Sequence, residues 1–146
     1  MSGLINSAGS RSGVLGTTEL DYEEGTWTPG PSCYTGGLID ATVTTHVGNY
    51  TKIGNMVTVN CNINISELGG QGSSYTYVSG LPFETSATRN GTGAVGSNTC
   101  FTTTVIPTCF VGTSSRVYFL PNTNTATTAS LVWCNGDLSF SLTYGI

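Results

Sequence analysis

Residues that could carry out nucleophilic catalysis are few and widely spaced in this chain of 146 residues. A serine or cysteine nucleophile needs an adjacent base, and His46 is the only histidine. It lies in the segment Thr44–Val47, which contains no acidic residue that could orient an imidazole. We therefore expect His46 to be a surface or interface residue and predict no catalytic triad.

The carboxylates are also placed poorly for paired acid–base chemistry, which needs two of them at a fixed separation. A carboxylate pair formed across a subunit boundary stays open at this point. The acidic cluster near residue 20 lacks the dense oxygen-ligand pattern of a calcium loop. We expect no enzymatic activity, no metal and no cofactor. The acidic cluster comprises Glu19, Asp21, Glu23 and Glu24, and the other carboxylates, each beside a predicted turn, are Asp40, Glu67, Glu84 and Asp137.

The cysteines are odd in number, and none is spaced as C-x-x-C. A zinc site would have to gather ligands from distant strands, and a disulfide framework would leave one thiol over. The sequence has no export signal, so reduced cysteines that serve as small core residues are the favoured interpretation. The five are Cys33, Cys61, Cys100, Cys109 and Cys134.

The composition excludes several classes of protein. Only 8% of the residues are charged, four are basic, and the net charge is -4, which disfavours a nucleic-acid partner because such binding depends on phosphate neutralisation. No apolar run approaches the ~18 residues that a membrane-spanning helix needs. Aromatic residues make up 10% of the chain, enough to supply a core. A small Thr-rich β protein is expected, with no nucleic-acid or membrane partner.

Two segments show the alternation of apolar and polar residues that is typical of half-buried strands. In residues 57–65 the apolar positions run from Val57 to Ile65, after a predicted turn at Gly54-Asn55. In residues 138–144 they run from Leu138 to Tyr144. The tripeptide at 135–137 predicts a tight hairpin from a strand that holds residues 131–133.

Weaker patterns predict further strands at 41–47, 49–53, 74–79, 99–106 and 115–120, separated by turn-rich spacers at 89–98 and 121–128. No segment has the composition of a helix of useful length. Many short strands favour an all-β protein built as a jelly-roll-like antiparallel β-sandwich. Residues 21–146 form this domain, and residues 1–20, rich in Gly and Ser, are predicted to be an extended N-terminal arm.

One stretch, residues 100–111, is apolar on both faces of a strand. Such a strand lies either in a crowded core or beneath a neighbouring subunit. The candidate subunit-interface residues are Phe101, Val105, Phe110 and Val111.

The aromatic residues suggest a role in glycan binding, because aromatic rings stack on the faces of sugars. Tyr75 and Tyr77 lie on one face of a predicted strand beside a Gly-rich loop, which makes them candidate glycan contacts. Filling the core is the alternative for both. For Trp27 and Trp133 the core is the favoured interpretation.

Three strings occur in an order that resembles a family of phage virion proteins: Asp21–Pro29 (DYEEGTWTP), Gly48–Asn55 (GNYTKIGN) and Ser79–Phe83 (SGLPF). Residues 10–16 are similar to the segment that often precedes the first string. The family's β-sandwich domain occurs in tail-fibre tips and in small capsid-associated proteins. The resemblance implies a homotrimeric structural protein of the virion that is not an enzyme.

Within that resemblance, the expected role is a capsid decoration (cement) protein, because only about 20 residues precede the domain. Its trimers would clamp the phage major capsid protein and stabilise the head of a virion assembled in the host cytoplasm. Contacts from the arm would then come from Leu4, Ile5, Arg11, Val14 and Leu15. The alternative is a receptor-binding tail-fibre tip or head fibre that engages host surface glycans.

Overall fold

Nine β-strands form in the part of the chain that the computed structural model describes, namely residues 21–33, 41–69, 76–85, 91–101, 106–112, 115–121, 131 and 133–146. They are β1 (Tyr22–Trp27), β2 (Gly30–Cys33), β3 (Thr42–Ile53), β4 (Met56–Glu67), β5 (Thr76–Ser79), β6 (Gly91–Asn98), β7 (Pro107–Val111), β8 (Val117–Pro121) and β9 (Gly136–Gly145).

The strands belong to one curled antiparallel sheet in the order β1-β3-β4-β9-β6-β7-β8-β5-β2. The two edge strands, β1 and β2, are consecutive in the chain and are separated only by Thr28 and Pro29. The sheet is therefore curled so far that both of its edge strands lie in one short segment of the chain, residues 22–33. The prediction of an all-β, antiparallel protein is confirmed.

The strands β4 and β9 are neighbours in the interior of the sheet, and their sequence pattern was the clearest. Register places Ile63 opposite Leu138 and Val59 opposite Leu142, and all four side chains are at most 2% exposed. Burial of each such side chain contributes about 1.5–3 kcal/mol. The alternation predicted for 57–65 and 138–144 is confirmed.

The segments predicted at 41–47 and 49–53 form the single strand β3, whose register with β4 shifts near Thr42–Thr45. The predicted turn at Gly54-Asn55 joins β3 to β4, and Gly54 has a φ of +58°, which glycine adopts without the Cβ clash. The predictions at 74–79 and 115–120 correspond to β5 and β8, with residues 74 and 75 outside the described part of the chain.

The spacer predicted at 89–98 is wrong over most of its length, because residues 91–98 form β6, which pairs with both β9 and β7. The glycines that suggest a turn are needed for space instead. A Cβ at Gly91 would lie 2.5 Å from the Cβ of Tyr144, and Gly93 meets Leu142 in the same way. The nearest atoms are the backbone carbonyl oxygens of Thr143 and Ser141, so the close approach of the β9 backbone leaves room only for glycine at these two positions of β6.

The strand predicted at 99–106 is also wrong where the structure describes it. Phe101 makes only an isolated bridge to Trp133, and the strand begins at Pro107. The predicted hairpin from residues 131–133 is wrong too, because β9 pairs with β4 and β6. Trp133 instead lies in the aromatic core, with its ring centroid 4.6 Å from that of Phe101 and its Nε1 donating to Ser32 O at 2.9 Å.

Candidate functional site

The three sequence strings Asp21–Pro29, Gly48–Asn55 and Ser79–Phe83 pack together in the fold. We call residues 21–27, 48–54 and 79–83 the motif cluster. The first two strings are antiparallel partners, with Glu23 opposite Lys52 and Trp27 opposite Gly48. The third string adds Phe83, whose ring contacts Tyr50 edge-on with a centroid distance of 5.3 Å. The three strings therefore pack against one another as one part of the fold.

Aromatic rings and glycines alternate across this ladder. Tyr50 of β3 lies over Gly25 of β1, and Trp27 of β1 lies over Gly48 of β3. Each glycine leaves room for the ring opposite, so the two strands exchange rings in a reciprocal arrangement. Tyr144 ties this unit to the central strand β9 because its hydroxyl donates to Phe83 O at 3.3 Å.

The acidic side chains of the motif cluster each have a separate partner. Lys52 Nζ forms an ion pair with Asp21 at 2.6 Å, and Tyr50 donates to Glu23 at 2.6 Å. Tyr22 donates to Glu24 at 2.7 Å, and this hydrogen bond raises the pKa of Tyr22. The contacts of Asp21 and Glu23 reach across to β3, that of Glu24 stays within β1, and the three carboxylates do not converge on one point. Within the described residues, no group of three or more His, Cys, Asp or Glu side chains could hold a metal ion.

A shallow groove of about 650 Å³ crosses the outer face of β3, β4, β9 and β6. We call it the polar groove. The strand register places one row of residues across the four strands, namely Asn49, Asn60, Ser141 and Ala94. None of the described residues that line it is charged. The lining residues are Val47, Asn49, Asn60, Cys61, Asn62, Ala94, Gly96, Ser139, Phe140 and Ser141.

A row of aromatic side chains crosses the outer face of β7, β8 and β5. We call Phe110, Tyr118 and Tyr77, with Arg116, the aromatic row. Register pairs Phe110 with Tyr118 and Tyr118 with Tyr77. The first two rings stack at a centroid distance of 5.4 Å, and the Arg116 guanidinium lies 4.5 Å from the Tyr77 centroid. Phe110 and Tyr118 are half-buried, so part of each ring faces outward.

The predicted subunit-interface residues divide between the core and this row. Phe101 and Val111 are 4% and 0% exposed, inside the core of a single chain. Their apolar character is therefore accounted for without a second subunit, which corrects the interface assignment for these two. Phe110 lies on the outer face, and Val105 lies outside the described residues.

Of the two candidate glycan contacts, Tyr77 is only 8% exposed and its ring is covered by Arg116. Tyr75 lies outside the described residues, as do the arm residues Leu4, Ile5, Arg11, Val14 and Leu15. Sequence reasoning missed the Phe110–Tyr118 stack, because residues 109–111 and 117–120 are continuously apolar and do not show which side chains face outward.

The cysteines and tryptophans are placed largely as predicted. Four cysteines are buried, Cys134 is half-buried, and all five are thiols. Burial raises the pKa of Cys61 and of Cys100, and it raises that of Cys109 to about 11. Buried, protonated thiols react slowly with reagents in the surrounding solution. Trp27 and Trp133 are in the core at 7% and 1% exposure, and His46 is exposed on β3.

Comparison of the chain with family models, with curated proteins and with solved structures finds no match. The part of the chain that the structure describes contains no helix long and apolar enough to cross a membrane. The candidate surfaces are therefore defined by geometry alone: the polar groove and the aromatic row.

Proposed function

We propose that this chain is a structural protein of a phage virion, and first of all a capsid decoration protein whose homotrimers clamp major capsid subunits. In this proposal the curled sheet is a jelly-roll-like sandwich, residues 1–20 are the arm that docks on the shell, and the protein is not an enzyme. Binding across subunit boundaries would stabilise the assembled head by mass action.

The observation that carries the proposal is the motif cluster. The first two strings that resemble the phage family pair with each other residue by residue, from Tyr22–Ile53 to Trp27–Gly48. Phe83 of the third string packs on Tyr50 of the second. A resemblance that coincides with a packed structural unit supports a shared fold more strongly than scattered identities would.

The polar groove supports a decoration protein that packs against a shell rather than a protein that acts free in solution. Its amides, hydroxyls and small residues can hydrogen-bond to a neighbouring protein, and no charge among its described lining residues would have to lose its water. Val47, which is 51% exposed, adds apolar surface at its border. Such a face suits permanent packing against a protein shell.

Copy number per particle is the experiment that tests this role. Purified virions would be analysed on a quantitative protein gel with the major capsid protein as internal standard. A decoration protein is expected in hundreds of copies, whereas a fibre protein is present in a few tens or fewer. A low copy number would overturn the decoration role while leaving the virion assignment in place.

The arm is tested separately by deletion of residues 2–16. The truncated trimer is expected to lose saturation binding to expanded capsids. Unchanged saturation by a folded truncated trimer would overturn the docking role of Leu4, Ile5, Arg11, Val14 and Leu15.

The aromatic row favours a second candidate function, that of a receptor-binding fibre tip or head fibre. Phe110 and Tyr118 present parts of their rings outward, and Arg116 lies at the end of the row. Aromatic faces beside a cation suit glycans that carry an acidic group. Purified protein would then bind host cells and block infection, and Tyr118→Ala would abolish both. Absence of both effects in the unmodified protein would overturn this candidate.

A further inference from the structure

Cys100 and Cys134 are directly opposite each other on neighbouring segments of the chain. Phe101 and Trp133 form an antiparallel bridge, so the next pair along the bridge is Cys100 with Cys134. The backbone N–H of Cys134 donates to Cys100 O at 2.6 Å. The two cysteines therefore occupy a hydrogen-bonded position of an antiparallel pair.

This position fits the geometry of a disulfide. Residues directly opposite in an antiparallel pair have side chains on the same face, and in hydrogen-bonded positions their Cα atoms are about 5.5 Å apart. Disulfides span Cα separations of roughly 4.4–6.8 Å. The Cys134 thiol donates to Thr99 O at 3.3 Å, which places its sulfur toward the segment that carries Cys100.

The other three buried cysteines have no cysteine at the positions with which they pair. Cys33 on β2 is paired with Thr76. Cys61 on β4 is paired with Gly48 and Phe140, and Cys109 on β7 is paired with Gly93 and Phe119. Among the cysteines on these segments, Cys100 and Cys134 are thus the pair whose register favours a covalent bond.

We propose that Cys100 and Cys134 are an oxidisable pair that forms an intramolecular disulfide when the chain meets a small disulfide oxidant such as oxidised glutathione. Cys134 is half-buried and reacts first, while Cys100 is fully buried. The inference concerns the folded chain itself and does not rest on the proposed function.

The exchange balances in two steps. The Cys134 thiolate attacks one sulfur of oxidised glutathione, the glutathione S–S bond breaks, and one glutathione leaves as thiolate. The Cys100 sulfur, as it loses its proton to water or to that thiolate, then attacks the Cys134 sulfur. The mixed disulfide breaks and releases the second glutathione. The protein loses two hydrogens, and one oxidised glutathione becomes two reduced ones.

The test uses the purified full-length chain, prepared reduced and then incubated with excess oxidised glutathione. Remaining thiols are blocked with N-ethylmaleimide, and peptides are mapped by mass spectrometry without reduction. The expected product is a monomer that is lighter by two hydrogens before blocking and whose peptide map links Cys100 to Cys134. Dithiothreitol should reverse the link and also reverse a rise in the melting temperature, because the bond closes a long loop.

Two variants sharpen the result. Cys134→Ser should lose both the link and the rise in melting temperature, whereas Cys61→Ala should keep both. A stable glutathione adduct on Cys134, a Cys61–Cys100 link or a link between two chains would each overturn the proposal.

Discussion

The phenol of Tyr50 lies directly over Gly25, so that a Cβ built on this glycine would be 2.7 Å from the Tyr50 hydroxyl oxygen. The ring is held on its other sides by the hydrogen bond to Glu23 and by the edge-on contact with Phe83. It therefore cannot move aside without loss of one of these contacts. Gly25 is small because Tyr50 must fit there.

Gly25→Ala is expected to lower the free energy of unfolding by about 1–3 kcal/mol, because the added methyl group overpacks the contact with Tyr50. Urea denaturation checks this. The cost should shrink in a Tyr50→Leu background, since the two residues are coupled.

Gly96→Ala is the matched control, because its Cβ would lie 3.2 Å from the Ser139 hydroxyl, which can rotate, and at an ordinary 3.9 Å from Ser139 O. A change within about 0.5 kcal/mol is expected there. Equal losses for the two alanine variants would contradict the packing account.

Alkaline pH should destabilise the protein through Tyr144. Burial raises the pKa of Tyr144 from 10.0 to about 12, so between these values the hydroxyl ionises in the unfolded chain before it does so in the folded one. The stabilisation is complete below pH 10 and is lost as the pH rises toward 12, by an amount on the order of 2–3 kcal/mol.

Urea midpoints measured from pH 8 to 12 would show this loss. In the Tyr144→Phe variant the urea midpoint should fall less steeply with pH over the upper part of that range. Phe also removes the hydrogen bond to Phe83 O, which costs about 0.5–1.5 kcal/mol at neutral pH. If the urea midpoint of Tyr144→Phe depended on pH in the same way as that of the unmodified protein, the assignment of the alkaline loss to Tyr144 would be refuted.

Trp133→Phe is expected to cost about 2–4 kcal/mol, because it leaves a cavity and leaves Ser32 O without its donor. Trp27→Phe is the comparison, with a longer hydrogen bond of 3.3 Å to Asn60 O and slightly greater exposure. Trp27→Phe should lower the stability measured by thermal denaturation less than Trp133→Phe does. The reverse order would mean that the aromatic core is not centred on Trp133.

The polar groove offers a charge test of the decoration role. Asn60→Lys puts an ammonium group in the middle of the groove and should change stability by no more than about 0.5 kcal/mol, since residue 60 is exposed. If the groove packs on a shell, binding to expanded capsids should fall at least about tenfold because the charge loses its water.

Thr108→Lys is the control for that experiment, because residue 108 is also exposed but lies on β7, away from the groove lining. It should bind like the unmodified protein. Equal binding by both lysine variants would remove the groove from the proposed interface.

The sequence predicted best those strands that have one apolar and one polar face. In β4 and β9 the side chains themselves carry the pattern, so Val57 to Ile65 and Leu138 to Tyr144 were recognisable. β6 was missed because its inward positions Gly91 and Gly93 carry no side chain. Their role depends on Tyr144 and Leu142, some fifty residues away, which no local pattern can show.

The candidate surfaces were less predictable than the fold for a related reason. The aromatic row needs β7, β8 and β5 to be neighbours, and that order is set by pairing between distant segments. Tyr77 was identified as an aromatic residue of interest, but the cover that Arg116 provides follows only from the pairing of β5 with β8. By contrast, the Asn and Ser residues of β4 and β9 that line the polar groove belong to the polar faces of the two strands whose alternation was predicted.

The position of β9 has a consequence for biosynthesis. The strand that leaves the ribosome after the other eight lies between β4 and β6, so an interior position of the sheet is filled last. Until residues 136–145 emerge, β4 and β6 both present unpaired backbone edges, which can pair with other nascent chains. Prematurely terminated chains should therefore aggregate rather than fold with one strand missing, and the timing of translation becomes part of how the protein reaches its native state.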